Sequence, residues 1–277
     1  MTVDTTIVCA GTLSQVTCYY VRSLTLEGYG EPVTSRTVLG NDAVMVGRLL
    51  SAAGTPAACL LLSPSNSDVA LLRATAPDLT VLTAGLRQGM VTTSSVLQAA
   101  DGRRYWLLPP AQPGTMPTPR TVIGPLVYAD MYDEFEDTMI AWLTAARPSG
   151  LIVNLSGSRH REKAARLAPL RPLLVQAATS HVRSGTAVPQ AARELQSLAR
   201  AEHALLSAGP LGFALTGPGE QIWTRAPEVP LSPAPGLGAG AAVSAGLLHG
   251  LAHGLNAGAL ADTACDWAES YLRDPGQ

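Results

Sequence analysis

The sequence predicts an α/β fold built around a mostly parallel β-sheet. Short runs of apolar and β-branched residues alternate along the chain with segments whose apolar residues recur at helical spacing. Some of these runs, such as Ala57–Leu62, are apolar at every position, which is typical of parallel strands covered on both faces. With 277 residues, 47% of them hydrophobic, the chain is long enough to bury a substantial core. We therefore expect three layers, with helices on both faces of the sheet.

The first half of the chain opens with a buried strand, because Thr6–Thr12 is a short run rich in β-branched residues. A helix is predicted over Asn41–Ala53, with Asn41 or Asp42 at its N-cap and Gly54 just after its last residue. The next predicted elements are the strand Ala57–Leu62, the helix Asp68–Ala76 and the strand Leu79–Thr83.

Two segments predict a small β flap beside the main sheet. Val16–Leu24 and Val33–Val38 are predicted as strands around a turn at residues 27–32. Val91–Pro109 is predicted as a hairpin that turns at Asp101-Gly102. The aromatic and β-branched residues of these strands suit a sheet that is covered on one face only.

The second half continues the alternation and ends in two helices. Its predicted strands are Val122–Tyr128, Leu151–Leu155 and Leu173–Gln176, and its predicted helices are Asp133–Ala146, His160–Leu170, Pro189–Ala204, Ala239–Gly254 and Ala259–Tyr271. The remaining segments are the loop Pro109–Pro119, a hairpin over Leu205–Arg225 and a Pro/Gly linker over Pro227–Gly236. This alternation predicts parallel neighbours, because each helix returns the chain to the start of the next strand.

Composition excludes several classes of function. The net charge is -2, the pI is about 6.2 and charged residues make up 14% of the chain, so we expect no binding of nucleic acid or of an anionic membrane. The mean hydropathy of +0.18 comes from scattered Ala, Leu and Val, and no stretch reaches the roughly 18 apolar residues of a membrane span. An acid, Asp4, stands where a secretory signal would carry lysines. We expect a cytoplasmic protein.

A glycine-rich turn at Gly238, Ala239 and Gly240 runs into a predicted helix. The unpaired N–H groups and the positive end of the helix dipole at such a turn can hold an anion such as a phosphate. Small residues that let helices pack closely explain the same pattern. By itself the segment leaves both interpretations open.

Acidic residues and histidines supply two further candidate sites. An acidic cluster follows the strand at Val122–Tyr128 and consists of Asp130, Asp133, Glu134, Glu136 and Asp137. Carboxylates are favoured at a helix N-terminus, and the alternative is a substitute metal or base site, since α/β folds bind ligands where parallel strands end. His249 and His253 are spaced for one helix face, but a zinc site needs at least a third ligand, so no metal site is predicted.

The order of these motifs resembles the ribokinase family, the PfkB carbohydrate and nucleoside kinases. Gly238–Gly240 resembles the family's Gly-Ala-Gly-Asp signature, and Leu39–Ala43 with the following Gly47–Gly54 resembles its Gly-Gly-Asn signature helix. The remaining similarities are the opening strand and turn at Ile7–Ser14, the hairpin at Thr93–Leu107, the strand and loop at Leu151–Ser158 and a Gly-x-x-Gly turn at Gly209–Gly212. The likeness covers nearly the whole chain.

The resemblance implies a single ribokinase-like domain over residues 1–277, a three-layer sandwich with flap segments at about 16–38 and 91–109. It also implies ATP or ADP with Mg²⁺ as candidate ligands, a small-molecule substrate, and a homodimer that pairs through the flap. The implied anion-binding or nucleotide-binding residues are Gly238, Ala239, Gly240, Asn154, Gly209 and Gly212. The implied substrate pocket contains Val16, Gly40, Asn41 and Val44.

Several residues that the family uses are missing. The aspartate after Gly-Ala-Gly, which takes the proton from the substrate hydroxyl, falls on Ala241, and a methyl group cannot accept a proton. The sugar-binding aspartate falls on Val16 and the signature asparagine on Val44, so both substrate contacts are apolar. The Asn-x-x-Glu magnesium motif falls on residues 176–180, which contain no carboxylate.

Three functions stay open. The leading hypothesis is a degenerate PfkB-type protein that is no ordinary sugar kinase, binds a small molecule or nucleotide, and serves another reaction or a non-catalytic role in bacterial metabolism or biosynthesis. The second is an active ATP-dependent carbohydrate or nucleoside kinase in which Asp130 or Asp133 replaces the missing base. The third is a structural pseudokinase, a scaffold for another protein. The concerted losses favour the first over the second, and the sequence does not separate the first from the third.

Overall fold

Two β-sheets organise the chain. In a computed structural model, a nine-stranded sheet lies beside a four-stranded one. The structure describes residues 7–22, 34–90, 92–99, 104–107, 116, 125–179, 184–226, 228 and 237–274. Among these residues, no helix is both long and apolar enough to cross a membrane.

The nine-stranded sheet is the predicted mostly parallel sheet. Its strands are β1 (Ile7–Gly11), β4 (Ala57–Leu61), β5 (Thr80–Thr83), β8 (Leu126–Asp130), β9 (Gly150–Asn154), β10 (Leu174–Ala178), β11 (His203–Ser207), β12 (Phe213–Thr216) and β13 (Ile222–Arg225). Their order is β13-β12-β11-β10-β9-β8-β1-β4-β5, and only the β11–β12 and β12–β13 pairs are antiparallel. The carboxyl ends of the seven parallel strands therefore meet at one edge.

Helices cover both faces of this sheet. They are α1 (Asp42–Ala52), α2 (Asn66–Thr75), α3 (Glu136–Ala146), α4 (His160–Leu167), α5 (Val188–Ala199), α6 (Ala239–Ala252) and α7 (Ala257–Arg273). Alternation along β1 shows the two layers: Ile7 and Cys9 join the apolar core with α1, α2, α6 and α7, whereas Val8 and Ala10 join the core with α3, α4 and α5. The predicted three-layer α/β fold is confirmed.

The flap is also present. Its strands are β2 (Gln15–Val21), β3 (Thr34–Leu39), β6 (Thr93–Ala99) and β7 (Arg104–Leu107), in the order β3-β2-β6-β7. One face packs through Val16, Cys18, Tyr20, Val96 and Leu237, the last of which precedes the glycine-rich turn. The predicted turns at residues 27–32 and 101–102, most of the loop 109–119 and most of the linker 227–236 lie outside the described residues.

Several predicted boundaries were wrong. The helix predicted to reach Ala204 ends at Ala199, because Arg200 adopts a left-handed conformation (φ 50°) and returns the chain into β11. The segment Leu205–Arg225 is not one hairpin but part of three successive antiparallel strands. The strand predicted over Val122–Tyr128 is β8, which continues to Asp130.

Candidate functional site

A row of three buried polar side chains lies at the carboxyl edge of the main sheet. Asn154 of β9 is directly opposite Asp130 of β8 on one side and Gln176 of β10 on the other. Paired residues of neighbouring strands point to the same face, so the three side chains lie side by side. Their exposed fractions are only 2%, 8% and 4% for Asp130, Asn154 and Gln176. This row is the centre of the candidate site.

At one end of the row, two carboxylates approach each other. Asn154 Nδ2 donates to Asp42 Oδ2 over 2.9 Å and lies 3.3 Å from Asp130 Oδ1. Asp42 is the first residue of α1, so this helix carries its carboxylate to the sheet edge. The Ser156 hydroxyl accepts from Asn154 Nδ2 over 2.8 Å and donates to Asp130 Oδ1. Four polar side chains from three elements of the chain therefore converge.

Asp130 is held in an unfavourable environment for a carboxylate. Burial raises its pKa well above 3.8, and the nearby charge of Asp42 raises it further. The Ser156 hydroxyl, the Ala43 backbone and the charge of Lys163 lower the pKa, but less than burial raises it. Its Oδ2 is buried and accepts no hydrogen bond within the described part of the chain. Buried oxygens of this kind are normally paired with a hydrogen-bond donor or a cation.

A buried lysine holds the two loops that carry this end of the row. Lys163 of α4 has no exposed side-chain surface, and its Nζ donates to the carbonyl oxygens of Met131 and Ser156. The same Nζ lies 2.6 Å from Asp133 Oδ1. These bonds connect the segment after β8 with the segment after β9. Lys163 therefore fixes the backbone around Asp130 and Ser156.

At the other end, the row meets the start of α6. Ser244 Oγ lies 2.9 Å from Gln176 Oε1 and 3.0 Å from the carbonyl oxygen of Gly240. The hydroxyl of Tyr128, two residues before Asp130 on β8, lies 3.5 Å from Ser244 Oγ. Burial raises the pKa of the Tyr128 hydroxyl well above 10.0, so it is a neutral donor at physiological pH. Gln176 and Tyr128 therefore contact the first turns of α6 through Ser244.

The glycine-rich turn has the predicted form. Gly238 is the N-cap of α6 with φ 98°, and a Cβ there would lie 2.3 Å from Tyr271 Oη. A Cβ on Gly240 would have no described atom within 4 Å, so this position faces open space. The first N–H groups of a helix have no partner within the helix, and they can bind an anion here. Ala241 follows with no exposed surface and belongs to the apolar core.

Comparisons with known proteins identify the architecture. No protein-family model matches the sequence, and no curated protein matches it. The ribokinase of Arabidopsis thaliana, complexed with ribose and ATP, superimposes with a TM-score of 0.71 at 14% identity, covering 98% of this chain and 93% of the other. Phosphofructokinase-2 of Escherichia coli, in complex with substrates and products, gives a TM-score of 0.71 at 14% identity, with coverages of 96% and 92%. The nucleoside kinase of Methanocaldococcus jannaschii gives 0.70 at 10% identity, with coverages of 98% and 92%.

The chain has the ribokinase fold. The resemblance drawn from the sequence motifs is confirmed at this level, because the matched structures are kinases of the ribokinase type and each is covered almost entirely. The nine-stranded sheet and the separate small sheet of this ribokinase fold match the predicted fold class.

The four residues of this chain that were predicted to line a substrate pocket lie in different environments of the ribokinase fold. Val44 is buried in the main core, while Val16 packs in the flap cluster with Leu237. Asn41 occupies the N-cap of α1 without capping it, because its side chain instead bonds Thr12 Oγ1 and Ser14 Oγ. Gly40, with φ 117°, makes the turn between β3 and α1. Only Asn41 places a polar side chain beside the turn after β1.

The two glycines of the Gly-x-x-Gly turn in this ribokinase fold have different roles. Gly212, with φ 81°, is needed for close approach, since a Cβ would lie 2.0 Å from the carbonyl oxygen of Arg225 on β13. Gly209, with φ 55°, has no described neighbour within 4 Å of its Cβ position. The close approach to β13 explains Gly212, whereas the Cβ position of Gly209 faces open space.

The residues of the acidic cluster also have different roles. Asp133 binds Lys163 and Ser158, and these hydrogen bonds lower its pKa below 3.8 although desolvation opposes them. Glu136 binds Arg159 and Arg166, and Asp137 binds Arg166. Pairing with α4 and with the residues just before it therefore accounts for these three carboxylates. Asp130 alone points into the polar row.

The histidine pair forms no metal centre in the part of the chain that is described. His249 Nδ1 lies 2.7 Å from Thr55 Oγ1, and its ring lies 4.2 Å from that of His253 at a tilt of 39°. Desolvation and His253 lower the pKa of His249 below 6.5. No group of three or more His, Cys, Asp or Glu side chains placed to hold a metal occurs among the described residues.

Sequence reasoning missed how the site is assembled. It treated Asp42 only as a helix cap and gave no role to Lys163, the single lysine of the chain. Register between strands, which places Asp130, Asn154 and Gln176 in one row, is a tertiary property. The available signal was that each of these polar residues lies within two residues of the end of a predicted apolar strand.

Proposed function

We propose that this chain is a degenerate relative of the PfkB kinases that binds a small molecule or nucleotide at the carboxyl edge of its sheet without acting as an ordinary sugar kinase. Its role is another reaction or a non-catalytic one. The likeness in fold to a ribokinase, a phosphofructokinase and a nucleoside kinase supports the family origin. The polar row and the glycine-rich turn supply a place for a ligand.

The observation that carries this proposal is Ala241. The resemblance places the catalytic base at this residue, and its methyl group has no exposed surface and lies within the apolar core. Gln176 and Ser244, the polar side chains at this end of the row, bond each other and the Gly240 carbonyl. Neither carries a carboxylate. A general base typically contributes about 10²–10⁴-fold to the rate, so its loss removes much of the chemistry.

Magnesium does not fit the place where the resemblance puts its motif. The described residues there are Gln176, Ala177, Ala178 and Thr179, and Ser180 lies outside the described residues. Mg²⁺ prefers carboxylate and water oxygens, and this segment supplies no carboxylate. The proposed function therefore includes no step that depends on a metal at this segment.

Thermal denaturation with ADP and ATP, each with and without Mg²⁺, tests the binding. A ligand that binds only the folded state stabilises it by about 2.7 kcal/mol at a hundredfold excess over Kd. We therefore expect ADP and ATP to raise the Tm. In parallel, ³¹P NMR follows phosphoryl transfer to ribose and fructose 6-phosphate, and we expect none. Absence of any shift with either nucleotide would remove the nucleotide from the proposal.

Gly240 offers a matched pair of variants for this experiment. A side chain fits there without a clash, so both Gly240→Asp and Gly240→Ser are expected to fold. Aspartate at a helix N-terminus is itself favourable, but its charge repels a phosphate. Gly240→Asp should abolish the shift caused by ADP, and Gly240→Ser should keep most of it. Equal shifts in both variants would place the nucleotide elsewhere.

An active kinase is the second candidate, and Asp130 is the observation that favours it. Its raised pKa suits a general base better than Asp133, whose oxygens are taken by Lys163 and Ser158. However, Asp130 lies two strands away from Gln176, or roughly 10 Å at the usual strand spacing. Transfer that disappears in Asp130→Asn but persists in Asp133→Asn would establish this second candidate in place of the first.

A homodimer through the flap completes the proposal. Tyr105 and Leu107 of β7 are 59% and 51% exposed, and Tyr105 is in register with Leu97 and Tyr19 on the same face. An apolar sheet face of this kind is a liability when it is left in water. A second copy of the flap is the partner with a matching surface.

A further inference from the structure

We propose that Asp42, Asp130, Asn154 and Ser156 form a binding site for a hard divalent cation, independent of any nucleotide. This inference goes beyond the proposed function and does not depend on it. From the sequence, a metal or base site at the acidic cluster was only an alternative to a helix N-terminus, and no metal ligands were assigned. Carboxylate, amide and hydroxyl oxygens are the ligands that Mg²⁺, Mn²⁺ and Ca²⁺ prefer.

Asn154 and Ser156 have few hydrogens for the oxygens around them. The Asn154 amide carries two hydrogens, yet its Nδ2 lies within 3.3 Å of three oxygens, on Asp42, Asp130 and Ser156. Ser156 has one hydroxyl hydrogen and lies within reach of both carboxylates. The hydrogens of Asn154 and Ser156 are therefore too few for the oxygens that these two residues reach. A cation would bind these oxygens without requiring an extra proton.

One carboxylate oxygen of the cluster has no donor. Asp130 Oδ2 is buried and has no hydrogen-bond partner in the described structure, and only 2% of the residue is exposed. An isolated buried carboxylate is costly, and native proteins neutralise it by a proton, a counter-ion or a metal. The buried cation Lys163 of α4 already donates to two carbonyl oxygens and to Asp133.

Three oxygens surround the amide nitrogen of Asn154. Its Nδ2 lies 2.8 Å from Ser156 Oγ, 2.9 Å from Asp42 Oδ2 and 3.3 Å from Asp130 Oδ1. Rotation of the amide by half a turn would put the Asn154 oxygen where Nδ2 now lies, beside these three oxygens. A cation that enters next to this group would then meet four protein oxygens, the ligand type that Ca²⁺ and Mg²⁺ take.

Gly11 makes room for this cluster. A Cβ at Gly11 would lie 2.6 Å from Ala43 Cβ and 3.3 Å from Asp130 Cβ. Any side chain there would push the start of α1 away from β8. Glycine at the end of β1 therefore allows Asp42 to come close enough to share Asn154 with Asp130.

Titration with Mn²⁺ alone, followed by electron paramagnetic resonance, tests the site in the full chain without nucleotide. We expect one bound ion per chain, competed by Mg²⁺ or Ca²⁺. Asp130→Asn and Asp42→Asn should each weaken Mn²⁺ binding at least tenfold, and circular dichroism checks that they fold. Asp137→Asn, which removes an 88%-exposed carboxylate nearby, is the control and should leave binding unchanged.

Asn154→Asp is expected to strengthen Mn²⁺ binding, a result that loss of folding cannot produce. A third carboxylate raises the charge of the site, so this variant should bind Mn²⁺ at least tenfold more tightly. It should also be destabilised without metal and restored by Mn²⁺. No Mn²⁺ bound to the unmodified chain at millimolar concentration, or equal binding by Asp130→Asn and Asp137→Asn, would overturn the inference.

Discussion

Asp130 of β8 lies directly opposite Asn154 of β9, and the Asn154 amide is 3.3 Å from the Asp130 carboxyl. This register places a buried acid close to a second acid, Asp42, which the same amide also binds. Two like charges in a poorly solvated place oppose each other and oppose folding. The candidate site therefore reduces the stability of the free protein, as functional sites commonly do.

Asp130→Asn should stabilise the protein at high pH. The folded pKa of Asp130 is raised above 3.8, so the folded state binds a proton that the unfolded state has lost, and stability falls as pH rises through this window. The asparagine side chain does not titrate, so the stability of the variant does not fall in this way. Thermal denaturation in EDTA should give the variant a higher Tm at pH 8 and a smaller advantage near pH 4.

Asp133→Asn is the matched comparison, because the pKa of Asp133 is lowered. Its carboxylate contributes stability above the unfolded value of 3.8 that is lost as pH falls through the folded pKa. Asp133→Asn should therefore lower Tm at pH 8. If both variants moved Tm in the same direction at pH 8, the assignment of Asp130 as the strained acid would fail.

Lys163→Met should cost about 3 kcal/mol of unfolding free energy, because it leaves the buried carbonyl oxygens of Met131 and Ser156 without their donor. Urea denaturation measures this cost. Arg161→Met on the same helix is the control: its ion pair with Glu194 is 69% and 48% exposed and is worth less than about 1 kcal/mol. Similar costs for the two variants would show that Lys163 is not a buried support.

Gly212→Ala should destabilise the antiparallel edge of the sheet by more than about 3 kcal/mol, since the new methyl group meets the Arg225 carbonyl oxygen at 2.0 Å. Gly219→Ala separates this contact from backbone strain. Gly219 also has a positive φ, 67°, but no described atom within 4 Å, so its variant should cost about 1 kcal/mol. Chemical denaturation of both variants gives the difference, and equal costs would contradict the close approach.

Light scattering tests the flap dimer. The unmodified chain should have about twice the 28.7 kDa mass of one copy. Tyr105→Glu with Leu107→Glu should give a monomer, because two charges would be buried in the interface. Leu86→Glu, at a residue that is 49% exposed outside the flap, should remain a dimer. A monomeric unmodified chain would remove the homodimer.

The layers of the fold were predicted well from the sequence, because the pattern of apolar residues along each strand and helix is enough to specify them. A strand such as β4 is apolar at every position, and the helix predicted over Ala259–Tyr271 lies within the observed α7, Ala257–Arg273. The helix predicted up to Ala204 shows the limit. Its end at Ala199 depends on Arg200 adopting a left-handed conformation, for which glycine would have been the usual signal.

The site was predicted less completely, because its residues meet only through strand register. Asn154 and Asp130 were candidates from the sequence, but the contact between Asn154 and Asp42 joins positions that are 112 residues apart. Local patterns contain no information about such long-range contacts. The same is true of Val16 and Val44, which the motif alignment placed in one pocket and which the fold assigns to two apolar clusters.

Because Lys163 is buried, its chemical labelling can report local opening of the structure around α4. Reagents that acylate amines attack the uncharged, solvent-exposed side chain, and the single lysine of this sequence has no exposed surface. Acylation of Lys163 then requires α4 to separate from the loops after β8 and β9. The rate of that labelling, read by mass spectrometry, would measure how often the candidate site comes apart.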